Sequence, residues 1–221
     1  MYFTKETFAF LRALKKNNNR DWFQANKQRF ESTVRDPILR FISDFSPKLD
    51  KINPKYVADP RPNGGSLMRI HRDIRFSDNK SPYKTELGVS FWHEDAGKSM
   101  CAPSFFMMVS AERCFAAGGL WHPDPQSLAK VRNEIANNQT AWQKVKKSKL
   151  KIEGESLSRP PRGFDPSHPF IEDIKRKDFV TIKGFSQDEM CSDSILQDFT
   201  RAYKSMSPLM EFLCHATGFN W

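Results

Sequence analysis

The spacing of apolar residues changes twice along this chain, and that alternation restricts its architecture more than any other feature. Phe8, Leu11 and Leu14 recur at the interval of a helix with one buried stripe, and so do Ile38, Leu39, Phe41, Ile42, Phe45 and Leu49. Thr4 fits an N-cap, with Phe3 and Phe8 placed as a hydrophobic staple. Asn17-Asn18-Asn19 ends the first helix and caps the next, which carries Trp22, Phe23 and Phe30. Pro37 sits in the first turn of the third.

From Leu67 to Trp121 the period falls to two. The pattern predicts strands at Leu67–Phe76, Glu86–Trp92, Ser104–Ser110 and Arg113–Gly118, with a tight hairpin at Ala111-Glu112. Phe105 to Val109 is apolar on both faces and reads as a central strand. Asp124-Pro125, an acidic N-cap before an N1 proline, then reopens the helical pattern through Leu128, Val131 and Ile135. Trp142 and Val145 mark a shorter helix, and Lys149–Glu153 and Phe179–Ile182 suggest short strands. Leu157 to Pro169 reads as a surface loop. Ile195 to Met206 is helical, and Ser207-Pro208 restarts the pattern as far as Leu213. Helices, then strands, then helices predict an α+β fold: a central antiparallel or mixed sheet with the N-terminal and C-terminal helices packed over it. Residues 1–221 are expected to form a single compact domain.

A chain of 221 residues buries a core without covalent staples, and 38% hydrophobic with 28% charged residues is a soluble, folded composition. No apolar run approaches the roughly 18–20 residues of a membrane span, so no membrane association is expected. Met1 to Glu6 lacks a basic cap followed by an apolar stretch, so no secretory signal is expected. Cys101, Cys114, Cys191 and Cys214 form no Cys-x-x-Cys pair and lie among apolar or small residues. They read as buried free thiols in a reducing, cytoplasmic setting. The histidines show no ligand spacing, and His93-Glu94-Asp95 reads as a polar turn. Neither a metal nor a cofactor is expected.

The formal net charge of +9 favours anionic partners. Its densest expression beside apolar sequence is Met68-Arg69-Ile70-His71-Arg72-Asp73-Ile74-Arg75-Phe76. On a strand, Arg72 shares the apolar face with Met68, Ile70, Ile74 and Phe76, where an unpaired charge is very costly. It is therefore expected to be mostly buried against a carboxylate or a bound anion. Arg69, His71, Asp73 and Arg75 share the other face. Guanidinium forks suit carboxylate or phosphate, and the following loop adds Lys80, Tyr83 and Lys84. The competing structural reading is an internal salt-bridge network through Asp73, Asp78 or Glu86.

Gly118-Gly119 and Trp121, ahead of the helix opened at Asp124, form a second candidate, because a glycine pair admits close approach and a helix N-terminus attracts anions. No third spaced glycine or Gly-Lys-Ser/Thr completes a nucleotide fingerprint, and a bulge or tight strand-to-helix turn is the plainer account of the pair. Lys144, Lys146, Lys147, Lys149 and Lys151 read as a solvated helix end, with phosphate tracking as the alternative. The acid/base candidates are His71, Asp73 and His122, with His168 as a further one beside Pro169, where it can also cap a turn.

The order Trp22-Phe23 with Asn26-Lys27, Arg69 to Ser77, Lys80-Ser81-Pro82-Tyr83-Lys84-Thr85, Gly118 to Pro123, Pro161-Arg162-Gly163-Phe164 and His168-Pro169 resembles domain-of-unknown-function family 2461 of microbial and fungal proteins. The resemblance covers nearly the whole chain and implies no particular activity, substrate or cofactor. That family often has three glycines before the tryptophan, and Ala117 stands at the first of those places. Three functions remain open: a module binding a small anionic ligand, phosphorylated or carboxylate; an enzyme acting on such a ligand with a histidine or Asp73 as acid/base; and a nucleic-acid-associated protein.

Overall fold

The computed structural model describes residues 1–96 and 102–221, so Cys101 lies outside the described residues. The N-terminal helical pattern folds as α1 (Lys5–Lys16), α2 (Arg20–Ala25), α3 (Lys27–Phe30), a π-helical turn over Glu31–Arg35, and α4 (Asp36–Asp50). Asn19 opens α2 by accepting the Trp22 N–H at 2.9 Å, and Pro37 occupies the first turn of α4. Next come β1 (Tyr56–Val57), β2 (Glu86–His93), β3 (Ser104–Ser110) and β4 (Cys114–Leu120). They are followed by α5 (Pro125–Asn137), α6 (Gln139–Lys147), α7 (Ile171–Ile174), β5 (Phe179–Phe185), α8 (Gln187–Met190) and α9 (Ile195–Thr217). The strands form one antiparallel sheet in the order β1-β2-β3-β4-β5. The fold is α+β, with helices flanking that sheet.

Alternation along each strand decides which face is covered. Leu87, Val89 and Phe91 of β2, Phe105, Met107 and Val109 of β3, and Cys114 and Ala116 of β4 are buried in one cluster with α4 and α9. Tyr203 of α9 is central to it. Its ring lies 4.9 Å from Phe105 and 5.6 Å from Phe45, and its hydroxyl donates to the Phe106 carbonyl at 2.9 Å. Gly118 lets α9 sit close to β4, since a Cβ there would lie 3.2 Å from Met206 Sδ and from the Phe105 ring. A second cluster gathers Leu120, Phe179, Val131, Ile135 and Trp142 around Leu209, Phe212 and Leu213 of the same α9.

Four expectations are corrected. Residues 67–76 form no continuous strand, only the isolated bridges Leu67↔Val89 and His71↔Tyr83. The facing stretch contains Pro82, which has no N–H for a ladder, so the chain reaches β2 through an irregular hairpin over 70–84. Lys149–Glu153 is likewise reduced to one bridge, Glu153↔Val180. Pro208 does not restart a helix: α9 runs through it unbroken. Cys191 is half-buried, while Cys114 and Cys214 are buried and none of the three is in a disulfide. Burial pushes the Cys214 thiol up to about 11 and raises that of Cys114, which keeps both protonated and inert at neutral pH. Among the described residues, no helix is long and apolar enough to cross a membrane.

Because α9 contributes to both clusters, loss of packing in one disturbs the helix that serves the other. Thermal unfolding is expected as one transition, with near-ultraviolet and far-ultraviolet circular dichroism giving the same midpoint. Two separated midpoints would contradict a single domain over 1–221.

A candidate ligand site on the open face of the sheet

The strand residues that point away from α4 and α9 are much less covered. Along β3, Ser104, Phe106 and Met108 are only half-buried, between the buried Phe105, Met107 and Val109. Register places Gly88, Met108 and Phe115 in one cross-strand row, and Ser90, Phe106, Ala117 and Ile182 in the next. Two hollows open on this face. The first, about 620 Å³, lies against the hairpin over 70–84 and includes Lys15, Asn18, Arg72, Tyr83, Lys84 and Glu86 in its wall. The second, about 470 Å³, is lined by Trp92, Phe106, Phe115, Trp121, Ile182 and neighbours. Met68, Phe106 and Met108 belong to both walls.

The hairpin is pinned at its base. Met68 N–H donates to the Gly88 carbonyl at 2.9 Å, Lys84 N–H to Ile70 at 2.7 Å and Arg72 N–H to Pro82 at 2.9 Å. Asn18 clamps Tyr83 from the loop after α1: its carboxamide accepts the Tyr83 N–H at 3.1 Å and donates to the Tyr83 carbonyl at 2.9 Å. The buried Tyr83 ring stacks on Phe23 at 4.0 Å. With His71 opposite Tyr83, positions 72 and 84 fall on the same side of the hairpin as diagonal neighbours, near enough for long side chains to share one space.

Arg72 departs from expectation. Alternation survives in weak form, with Ile70, Arg72 and Ile74 half-buried and Arg69, His71, Asp73 and Arg75 exposed. Ile70 packs against the core, but Arg72 borders the first hollow, so it is not mostly buried and meets no carboxylate among the described residues. Its guanidinium bonds only to the Ser77 hydroxyl, at 3.4 Å, among the described residues. Lys84 has no acidic partner among them either, and burial, then the charge of Arg69, holds its ammonium below the usual lysine range. The other ionic groups of this wall are already matched: Lys15 with Glu112 at 2.6 Å, and Glu86 with Arg113 at 3.3 Å.

The remaining candidates lie elsewhere. Arg75 forms a bidentate pair with Asp73 at 3.0 and 2.7 Å, which holds that carboxyl below the usual carboxylate range. Lys80 reaches the Ile74 carbonyl. His71 packs its ring 5.2 Å from Tyr83 and lines neither hollow. Gly118, Gly119 and Trp121 border the second hollow. At Gly119, with φ of 143°, any side chain would strike the Phe179 carbonyl, so the glycine serves the β4–β5 pairing. The α5 N-terminus is filled by its own Asp124, which accepts the Gln126 and Ser127 N–H groups at 2.9 and 3.0 Å. An acidic cap already occupies the place an anion would take.

His122 holds a positive φ of 48° and lies against a fully buried carboxylate, which sequence reading missed. Asp178 Oδ1 accepts the His122 N–H at 2.7 Å and lies 3.2 Å from its Nδ1, while Oδ2 accepts the Glu155 N–H at 3.0 Å. His168 caps a turn through Nδ1, which accepts the Phe170 N–H at 3.1 Å. The lysine run ends α6 in the open, and Trp142 beside it is buried, with its indole N–H on Asp173 at 2.9 Å. Asn18, Met68, Phe106 and Met108 also escaped sequence reading as site residues. The one available signal was the apolar run at 105–109, which exceeds what a one-sided sheet can bury.

A family model described as conserved hypothetical protein (DUF2461) matches residues 6–212, nearly the whole chain, and the chain belongs to that family. No curated protein matches it.

Arg72 and Asp178 should separate in denaturant titrations. Arg72→Met is expected to change unfolding free energy by no more than about 0.5 kcal/mol, since no buried partner is stranded. Asp178→Ala strands two backbone donors and should cost about 2–3 kcal/mol. Equal losses would contradict these placements.

Proposed function

For this member of the DUF2461 family, we propose a binding module for a small anionic ligand, phosphorylated or carboxylate, held between Arg72 and Lys84. One observation carries the reading: two cations share the wall of a hollow without a carboxylate partner among the described residues. Partial burial, then the charge of Arg69, disfavours the Lys84 ammonium in the empty protein, and a bound anion offsets both effects. The guanidinium fork supplies directional donors, and the ammonium a mobile point charge.

Binding is favoured over turnover because His71, Asp73 and His122 line neither hollow. Nucleic acid is disfavoured because the lysine-rich end of α6 offers no exposed aromatic for base stacking. The buried, inert thiols fit a reducing, cytoplasmic setting.

Calorimetric titration with inorganic phosphate tests the reading. Arg72→Met and Lys84→Met are each expected to weaken affinity about tenfold or more, the scale of a lost charge-assisted hydrogen bond. Affinity unchanged in both variants would overturn the site, as would binding only to mixed-sequence oligonucleotide with a steep salt slope.

The pH dependence has a definite sign. Protonated Lys84 binds the anion, and its ammonium titrates below the usual lysine range. Phosphate affinity should therefore fall as pH rises through that lowered value, and proton uptake should accompany binding there. Lys84→Met should flatten the alkaline fall; an unchanged profile would remove Lys84 from the site.

A further inference from the structure

The two hollows meet along a common wall of Met68, Phe106 and Met108, and their linings differ in kind. Beyond that wall, the second is bounded by Phe115, Trp121 and Ile182. Its cation Arg113 is matched by Glu86 and lies 5.5 Å over the Phe115 ring, so it offers no free charge. Met68, Trp121 and Ile182 are 43%, 52% and 39% exposed, a contiguous apolar patch of the kind that marks a binding surface. Ala117 keeps the floor of the second hollow low, and the Phe106 ring and Met68 sulfur close over Gly88. The row from Ser90 through Phe106 and Ala117 to Ile182 crosses four strands, a run of roughly 14 Å at ordinary strand spacing.

Resting on the anion reading above, we infer that the ligand is an amphiphile, with its anionic head at Arg72 and Lys84 and an apolar chain laid across the open face of the sheet towards Trp121 and Ile182. A head group alone leaves the second hollow unused, and an uncharged hydrophobe leaves the two cations unmatched. Together the two hollows are complementary to one molecule. Because the chain lies flat along the sheet, the ligand is taken as a single molecule and not from a bilayer surface.

The test compares inorganic phosphate, ethyl phosphate and octyl phosphate, the last below its micelle concentration, by calorimetry and tryptophan fluorescence. Affinity should rise from ethyl to octyl phosphate by up to about fourfold per buried methylene. Octyl phosphate should shift tryptophan emission through Trp92 and Trp121, which line the second hollow, and inorganic phosphate should not. Ile182→Ser should remove the chain-length gain, read as the ratio of octyl to ethyl phosphate affinity within the variant. Arg72→Met should weaken all three.

Octyl phosphate binding no tighter than inorganic phosphate would overturn the amphiphile and leave the anion site standing. Absence of binding by any of the three phosphates would overturn both. Octyl glucoside binding as tightly as octyl phosphate would remove the anionic head. Binding to phosphatidylcholine vesicles containing phosphatidic acid, with no saturable binding of octyl phosphate, would replace the single molecule with a membrane surface.

Discussion

Everything notable about this protein's surface depends on how α9 meets the sheet. The helix lies close to β4 because Gly118 presents no side chain to Met206, and its length lets it serve both hydrophobic clusters. Such packing satisfies one face of the sheet completely. The strands nevertheless carry apolar residues on both faces, so Phe106, Met108, Phe115 and Ile182 remain partly in solvent. Leaving that area exposed costs solubility, which the net charge of +9 offsets.

The irregular hairpin over 70–84 walls one side of the open face and borders the first hollow. Its irregularity has a chemical cause. A regular strand would have carried Arg72 along a sheet face, whereas Pro82 ends the ladder and Asn18 fixes the return at Tyr83. Arg72 and Lys84 then overlook a cavity rather than a core, and neither meets a carboxylate among the described residues. By contrast, Arg75, Arg61 and Arg113 all find acids. The internal salt-bridge reading therefore accounts for Arg75 with Asp73 and does not extend to Arg72, which bonds to Ser77.

Legibility of the sequence followed the range of the interactions involved. Helices α1, α4, α5 and α9 and strands β2, β3, β4 and β5 were readable because period, caps and prolines act within a few residues. The Arg-rich segment was located but given the wrong geometry. Its alternating pattern implied a ladder, and a ladder also needs a partner able to donate, which the segment itself cannot reveal. Asp178 was invisible because its role is to hold the backbone at His122 and Glu155, which are far away in sequence. Asn18 was read as part of a helix boundary and serves instead as the clamp on Tyr83. The glycine pair was noticed for its likeness to anion loops, but its reasons are the approach of α9 and the pairing with β5.

A crystal structure of the protein with selenate, an oxyanion visible by anomalous scattering, examines the unmatched cations most directly. The account predicts an anomalous peak within hydrogen-bonding distance of both the Arg72 guanidinium and the Lys84 ammonium. A peak confined to the lysine-rich end of α6, or none beside Arg72 and Lys84 in an otherwise well-ordered crystal, would contradict it.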